Sequence, residues 1–204
     1  MHIHRIIPQT RAEGPGLRFC IWVQGCSRRC PGCFNPETWS HTGGTEYSAD
    51  ELLVQILATP DIEGVTLLGG EPMEQAEELS LLARSVRQNG LSVLCFTGYT
   101  LEEIQCSENA DMHTLLAETD LLIDGPYMQA RRDLSRPWVG SSNQRYHFLT
   151  NRYSIRDVEP CPNRLEIRLH RDGACTANGM AAEDIINTLE KLLMLGENKR
   201  GPEI

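Results

Sequence analysis

Residues 17–33 read Leu-Arg-Phe-Cys-Ile-Trp-Val-Gln-Gly-Cys-Ser-Arg-Arg-Cys-Pro-Gly-Cys. The first eight are rich in aromatic and β-branched types, and they run into Gly25, the pattern of a strand feeding a loop. That loop carries Cys26, Cys30 and Cys33, three thiols within eight residues, among Gly25, Pro31 and Gly32, which keep the backbone out of a helix and let it wrap. A strand that delivers reactive side chains into the loop beyond its carboxyl end is the working arrangement of α/β sheets.

Further along the same alternation repeats. Ser48-Ala-Asp-Glu51 has capping-box spacing ahead of Leu52, Leu53, Ile56 and Leu57, so a helix is expected from Ser48. Gly64–Leu68 is a short apolar run closed by Gly69-Gly70, a buried strand, and residues 74–88 place Leu79, Leu82, Ala83 and Val86 at helical intervals before Asn89-Gly90. Leu91–Phe96 and Leu121–Asp124 read as two more strands, separated by a second capping box at Thr100–Glu103. Strands alternating with helices predict a parallel sheet. A complete (β/α) barrel takes about 250 residues, so a chain of 204 predicts a partial one, open along one side. Leu165, Ile167 and Leu169 alternate with charged residues as a half-buried strand, Asp172-Gly173 suggests a hairpin turn, and residues 181–195 suggest an amphipathic helix. The expected organisation is a core over residues 1–150 and a C-terminal extension of strand, hairpin and helix over 151–204, packed on the core.

The bulk numbers restrict the partners. With 19 Lys plus Arg against 28 Asp plus Glu, the net charge of -9 argues against a general nucleic-acid or polybasic membrane binder. No apolar run approaches the roughly 18 residues of a membrane span, and the start lacks a secretory core, so a cytoplasmic location is expected. There, clustered cysteines bind metal or do chemistry more often than they form disulfides.

Three thiolates on a four-iron cluster leave one iron without a protein ligand, and an open position is what a catalytic metal site keeps. The alternative is zinc, which needs a fourth ligand, and His41 is the one histidine within short reach. Cys20 and Cys95 fall in apolar strands and read as small buried hydrophobes. Cys106, Cys161 and Cys175 show no ligand spacing, and the six histidines form no cluster. Arg18 reads equally as a solvated edge charge, and Trp39 as core packing.

Gly14-Pro-Gly-Leu-Arg18, followed by Cys26-x3-Cys30-x2-Cys33-Phe34-Asn35 and by Thr38-Trp39, resembles the glycyl-radical-enzyme activases of the radical S-adenosylmethionine (SAM) superfamily. Thr97-Gly98-Tyr99, Asp124-Gly125 and Trp138-Val-Gly140-Ser-Ser-Asn-Gln144 are most similar to the activases of anaerobic ribonucleoside-triphosphate reductase. The likeness runs in order over about two-thirds of the chain. From about Arg152 onward there is no counterpart, which leaves the partner's identity open.

The resemblance implies one 4Fe-4S cluster held by Cys26, Cys30 and Cys33, whose open iron chelates SAM. It also implies that Gly69, Gly70 and Glu71 form the turn holding the methionyl amino group, that Phe34 packs near the adenine, and that Thr97 and Asp124 belong to the cofactor site. Reductive cleavage of SAM would give methionine and a 5'-deoxyadenosyl radical, which would take a hydrogen atom from a glycine of a partner enzyme. The implied partners are that glycyl radical enzyme and an electron donor such as flavodoxin or ferredoxin. Two other functions stay open: a radical SAM enzyme acting on a small molecule or peptide, and an iron-sulfur electron carrier or zinc-binding interaction module.

Overall fold

The computed structural model describes residues 1–169, 171, 174–182, 184, 185, 187, 188 and 191. The turn expected at Asp172-Gly173, His170 and most of the helix expected over 181–195 lie outside the described residues.

Among the described residues there are nine strands: β1 (His2–Thr10), β2 (Arg18–Val23), β3 (Thr45–Glu46), β4 (Gly64–Gly69), β5 (Ser92–Phe96), β6 (Leu121–Asp124), β7 (Arg145–Phe148), β8 (Leu165–Leu169) and β9 (Cys175–Gly179). The helices are α1 (Ala49–Ala58), α2 (Ala76–Gln88), α3 (Leu101–Gln105), α4 (Ala110–Ala117) and α5 (Ile155–Val158). One seven-stranded sheet runs β3-β1-β2-β4-β5-β6-β7, and β8 and β9 pair as a separate hairpin.

The four strands expected from the apolar runs, β2, β4, β5 and β6, are parallel and adjacent. The sheet does not close on itself, so the expected partial α/β barrel is present as an open parallel core. Its edges were not anticipated: β1 and β7 pair antiparallel on either side of that core.

Strand alternation then assigns the two faces. Ile21, Val23, Val65, Leu67, Val93, Cys95 and Leu122 face the helices and pack with Leu52, Ile56, Leu79, Leu82, Val86, Met112 and Leu115. The other face carries Cys20, Trp22 and Leu68, and beyond them Leu94, Leu121 and Ile123 under Trp138, Val139 and Val158. Both expected capping boxes are formed, at Ser48 with Glu51 and at Thr100 with Glu103, which satisfies the first free N–H groups of α1 and α3.

Arg18 corrects its sequence reading. It is fully buried at the start of β2, the end of the sheet away from the cysteine loop. Its guanidinium donates to Thr66 Oγ1 (3.1 Å), Ser92 Oγ (2.6 Å), Tyr153 OH (2.8 Å) and the Val65 carbonyl (2.5 Å). Neutral oxygens on β4, β5 and the segment after β7 thus converge on one cation. Gly14 and Gly64 lie directly against it: a Cβ at Gly64 would stand 2.6 Å from Arg18 Nη1. The Gly14-Pro15-Gly16 turn is therefore packed into the base of the sheet, with Gly14 and Pro15 buried.

The hairpin docks by its polar side. Glu166 accepts from Thr10 Oγ1 and from the Arg11 N–H, both at 2.7 Å, Asn178 Nδ2 donates to Thr10 Oγ1 (2.9 Å) and Glu13 Oε1 (3.3 Å), and Arg168 donates to the Gln9 carbonyl.

Candidate active site at the cysteine loop

The chain leaves β2 at Val23 and turns at Gly25, where φ is +99°, a conformation that suits glycine. The Gly25 N–H donates to the Thr38 carbonyl (2.8 Å) and that of Cys26 to the Trp39 carbonyl (3.3 Å), so the far limb of the loop is fastened to its start. The Cys33 N–H donates to the Cys30 carbonyl (3.1 Å), and the Asn35 N–H points at Cys33 Sγ (3.4 Å).

The Gly69-Gly70-Glu71 turn lies against this loop. The Gly70 N–H donates to the Val23 carbonyl (2.9 Å) and the Glu71 N–H to the Gly25 carbonyl (2.8 Å). A Cβ at Gly70 would stand 2.3 Å from the Gly25 oxygen, so a side chain there would force the two loops apart.

Glu71 itself is 1% exposed and fully engaged by the protein. It accepts from Thr97 Oγ1 (2.7 Å), the Gly98 N–H (2.8 Å) and the Met73 N–H (3.0 Å). Burial pushes its carboxyl up to about 7, against the opposing pull of those three donors. Burial likewise pushes the Cys26 thiol up, opposed by the N–H groups of Arg29 and Arg28, and the Cys30 thiol up, opposed by the Tyr127 N–H. Metal binding therefore has to displace those protons when a cluster assembles.

A cavity of about 540 Å³ opens over these loops. Cys26, Cys30, Cys33, Phe34, Gly69, Gly70, Glu71 and Thr97 all line it, so eight of the nine residues expected at the site are brought together. Asp124 is not among the lining residues, whereas Gly125 is. Asp124 instead receives Arg145 Nη2 (2.6 Å) and the Leu101 N–H (2.7 Å), with His147 Nε2 at 3.0 Å. Burial disfavours its charge, yet Arg145, Leu101 and His147 together hold the carboxyl below its usual value. Trp39 departs from the expected core role: it is half-buried on the cavity wall.

Several lining residues carried no readable signal. Arg28 lays its guanidinium 4.0 Å from the Tyr99 ring centroid and pairs with Glu103 at 2.7 Å. Arg5 stacks over Trp22 at 4.4 Å. Phe34 and Tyr127 meet at 5.1 Å between ring centroids. Nε of Arg5, Nε of Arg28 and Nε1 of Trp39 are buried with no hydrogen-bond partner among the described residues.

The donor set fits a cluster with one open iron and a polar ligand beside it. Three thiols share the cavity wall, and all eight cysteines of the chain are free. The three orphans on the cavity wall are all donors, and an unmade buried hydrogen bond costs about 1–3 kcal/mol, so a ligand rich in acceptor oxygens and nitrogens meets a standing need. Among the described residues no three His, Cys, Asp or Glu side chains sit as they would around a single metal ion.

The profile of the 4Fe-4S single cluster domain matches residues 12–147. The anaerobic ribonucleoside-triphosphate reductase-activating protein of Vibrio cholerae is 34% identical over 158 residues, covering 74% of this chain and 99% of that protein. The protein of the same name from Escherichia coli K12 is 31% identical over 157 residues, covering 73% and 99%. This chain belongs to the anaerobic ribonucleoside-triphosphate reductase-activating protein family. A crystal structure of QueE from Escherichia coli overlaps 48% of this chain and 52% of its own, with a TM-score of 0.41 and 24% identity.

As a member of the activating-protein family the chain carries a single 4Fe-4S cluster, and Cys26, Cys30 and Cys33 are the thiols gathered where it fits. About a quarter of the chain lies outside the match to its activating-protein relatives, and the β8–β9 hairpin lies beyond the matched profile. Among the described residues no helix is long and apolar enough to cross a membrane.

Proposed function

We propose that this chain activates a glycyl radical enzyme, anaerobic ribonucleoside-triphosphate reductase, by SAM-dependent radical chemistry. The observation that carries this reading is a single cavity lined by Cys26, Cys30, Cys33, the Gly69-Gly70-Glu71 turn and three buried donors without acceptors. Cys26, Cys30 and Cys33 would hold the cluster, which when reduced would supply the one electron for cleaving SAM to methionine and the deoxyadenosyl group that would take a hydrogen atom from a glycine of the partner.

The chain's own residues set the conditions for that reaction. Cys26, Cys30 and Cys33 hold the cluster, and Gly69 and Gly70 let backbone approach the methionyl end. Glu71 holds the Thr97-Gly98 turn in place through two of its hydrogen bonds. Arg28, Trp39 and Arg5 offer their unpaired buried donors to what the cavity holds. Phe34 and Tyr127 form an apolar wall for the adenine, and together these groups keep water from the reacting carbon.

Asp124 acts as a structural ion-pair node rather than through the cofactor. Residues 1–150 form the catalytic core and 151–204 an extension; the packing of its described residues on the core is supported by the bond between Arg18 and Tyr153 and by the hydrogen bonds of Glu166, Arg168 and Asn178 to residues 9–13. A flavodoxin or ferredoxin would supply the electron, in the cytoplasm, where free thiols persist.

Anaerobic reconstitution with iron and sulfide, then reduction with SAM present, should yield 5'-deoxyadenosine. Adding the reductase should then give a glycine-centred doublet in electron paramagnetic resonance. Reconstituted protein that produces no nucleoside would reject the reading.

A further inference from the structure

The Pro72–Gln75 turn that follows Glu71 grips the root of the cysteine loop. Gln75 Nε2 donates to the Gln24 carbonyl (2.8 Å), one residue before Gly25. Glu74 accepts from the Ser27 N–H, at 2.9 Å through Oε1 and 3.2 Å through Oε2, and from the Ser27 hydroxyl at 3.3 Å. With the Glu71 N–H on the Gly25 carbonyl, the backbone is held on both sides of Cys26. The same Glu74 Oε2 stands 2.9 Å from His41 Nε2, on the far limb of the loop. Gly25 makes room for that ring, since a Cβ there would stand 2.9 Å from His41 Cδ2. His41, the histidine nearest the cysteines in sequence, is thus engaged by Glu74.

Glu74 is not among the residues that line the cavity of the three cysteines. What it can act on is the loop and the charge felt there. Burial raises the Cys26 thiol first, and the charges of Glu71 and Glu74 add to that rise, so the Glu74 carboxylate is felt at this sulfur.

We propose that Glu74 is a positioning residue for the cluster: it ties down the Cys26 end of the loop and sets beside it a negative charge that makes the reduced cluster a stronger electron donor. This rests on the reading that Cys26, Cys30 and Cys33 hold the cluster. The net charge around an iron-sulfur cluster is one of the quantities that set its reduction potential. An added electron is disfavoured next to an anion, so the potential falls. A lower potential favours passing the electron on to a sulfonium.

Two variants of the full-length chain, each reconstituted anaerobically with iron and sulfide, separate the tether from the charge. Glu74→Gln keeps an acceptor for the Ser27 N–H and removes the charge. It should hold as much iron as the wild type. Redox titration without SAM or acceptor, followed by electron paramagnetic resonance, should find its ratio of reduced to oxidised cluster at a given potential about tenfold higher, which is about 59 mV for a one-electron couple. Glu74→Ala removes acceptor and charge together, and should in addition surrender iron to a chelator about tenfold faster, as expected for loss of a hydrogen bond to a charged group. A Glu74→Gln cluster at the wild-type potential would overturn the proposal, as would Glu74→Ala protein that releases iron at the wild-type rate. Glu74→Gln protein that loses iron as fast as Glu74→Ala would equally overturn it. Failure of the underlying reading is seen separately, as a wild type that assembles no 4Fe-4S cluster.

Discussion

The Thr97 hydroxyl donates to Glu71 Oε1 at 2.7 Å, joining the turn after β4 to the turn after β5 inside the protein. With the Gly98 and Met73 N–H groups it stabilises a carboxylate that burial drives toward its neutral form.

That balance makes stability depend on pH. The Glu71 carboxyl moves from 4.5 to about 7 on folding. The native chain holds this proton more tightly, so the contribution is complete below pH 4.5 and is lost as pH rises through 7, a change of about 3 kcal/mol. Glu71→Gln should flatten that slope. Urea unfolding of cluster-free protein at about pH 5 and pH 8 measures it; identical slopes in variant and wild type would mean that Glu71 is already ionised at the lower pH.

Replacing Cys26, Cys30 or Cys33 with alanine should remove most of the bound iron and abolish 5'-deoxyadenosine formation. Cys20→Ala and Cys95→Ala fall in the packed sheet and should cost on the order of 1 kcal/mol of stability with iron retained. Iron assays and denaturation on all five variants separate ligands from packing.

Arg18→Ala would take away the buried donor shared by Thr66, Ser92, Tyr153 and the Val65 carbonyl and leave a void where the guanidinium lies, while Thr66 and Ser92 keep their bonds to the Glu13 and Glu63 carbonyls. The lost hydrogen bonds and the cavity together should cost about 3 kcal/mol or more, lowering Tm by roughly 10 °C for a chain of this size. A shift of a degree or two in calorimetry would show that water replaces the side chain without loss.

Asp124→Asn should weaken the grip on Arg145 and His147 and cost about 2–4 kcal/mol, while leaving SAM affinity within about twofold, because Asp124 does not line the cavity. Equilibrium dialysis against SAM beside thermal unfolding decides the matter. Lost affinity at unchanged stability would restore Asp124 to the cofactor site.

Much of the parallel core could be read from sequence because β2, β4, β5 and β6 are uninterrupted apolar runs, each ended by glycine, a polar turn or an acid. The helix starts were legible through Ser48 and Thr100, whose hydroxyls have one obvious task. The flanking strands were not. Register shifts between Ile3 and Arg5 and between Ile7 and Thr10 break the alternation of β1, and β7 is four residues long. Arg18 misled because a lone cation in a strand reads as surface; its partners come from three distant segments. The orphaned donors of Arg5, Arg28 and Trp39 leave no trace in a linear pattern, since being unpaired is a property of surroundings. For β8, alternation revealed that its two sides differ but not which one faces inward.

The hydrogen bonds from Gly70 to Val23 and from Glu71 to Gly25 extend the β2–β4 ladder past the ends of both strands. The Gly69-Gly70-Glu71 turn and the start of the cysteine loop are thereby a continuation of the sheet. Backbone amides at Gly70 and Glu71 should accordingly exchange with deuterium as slowly as the centre of the sheet.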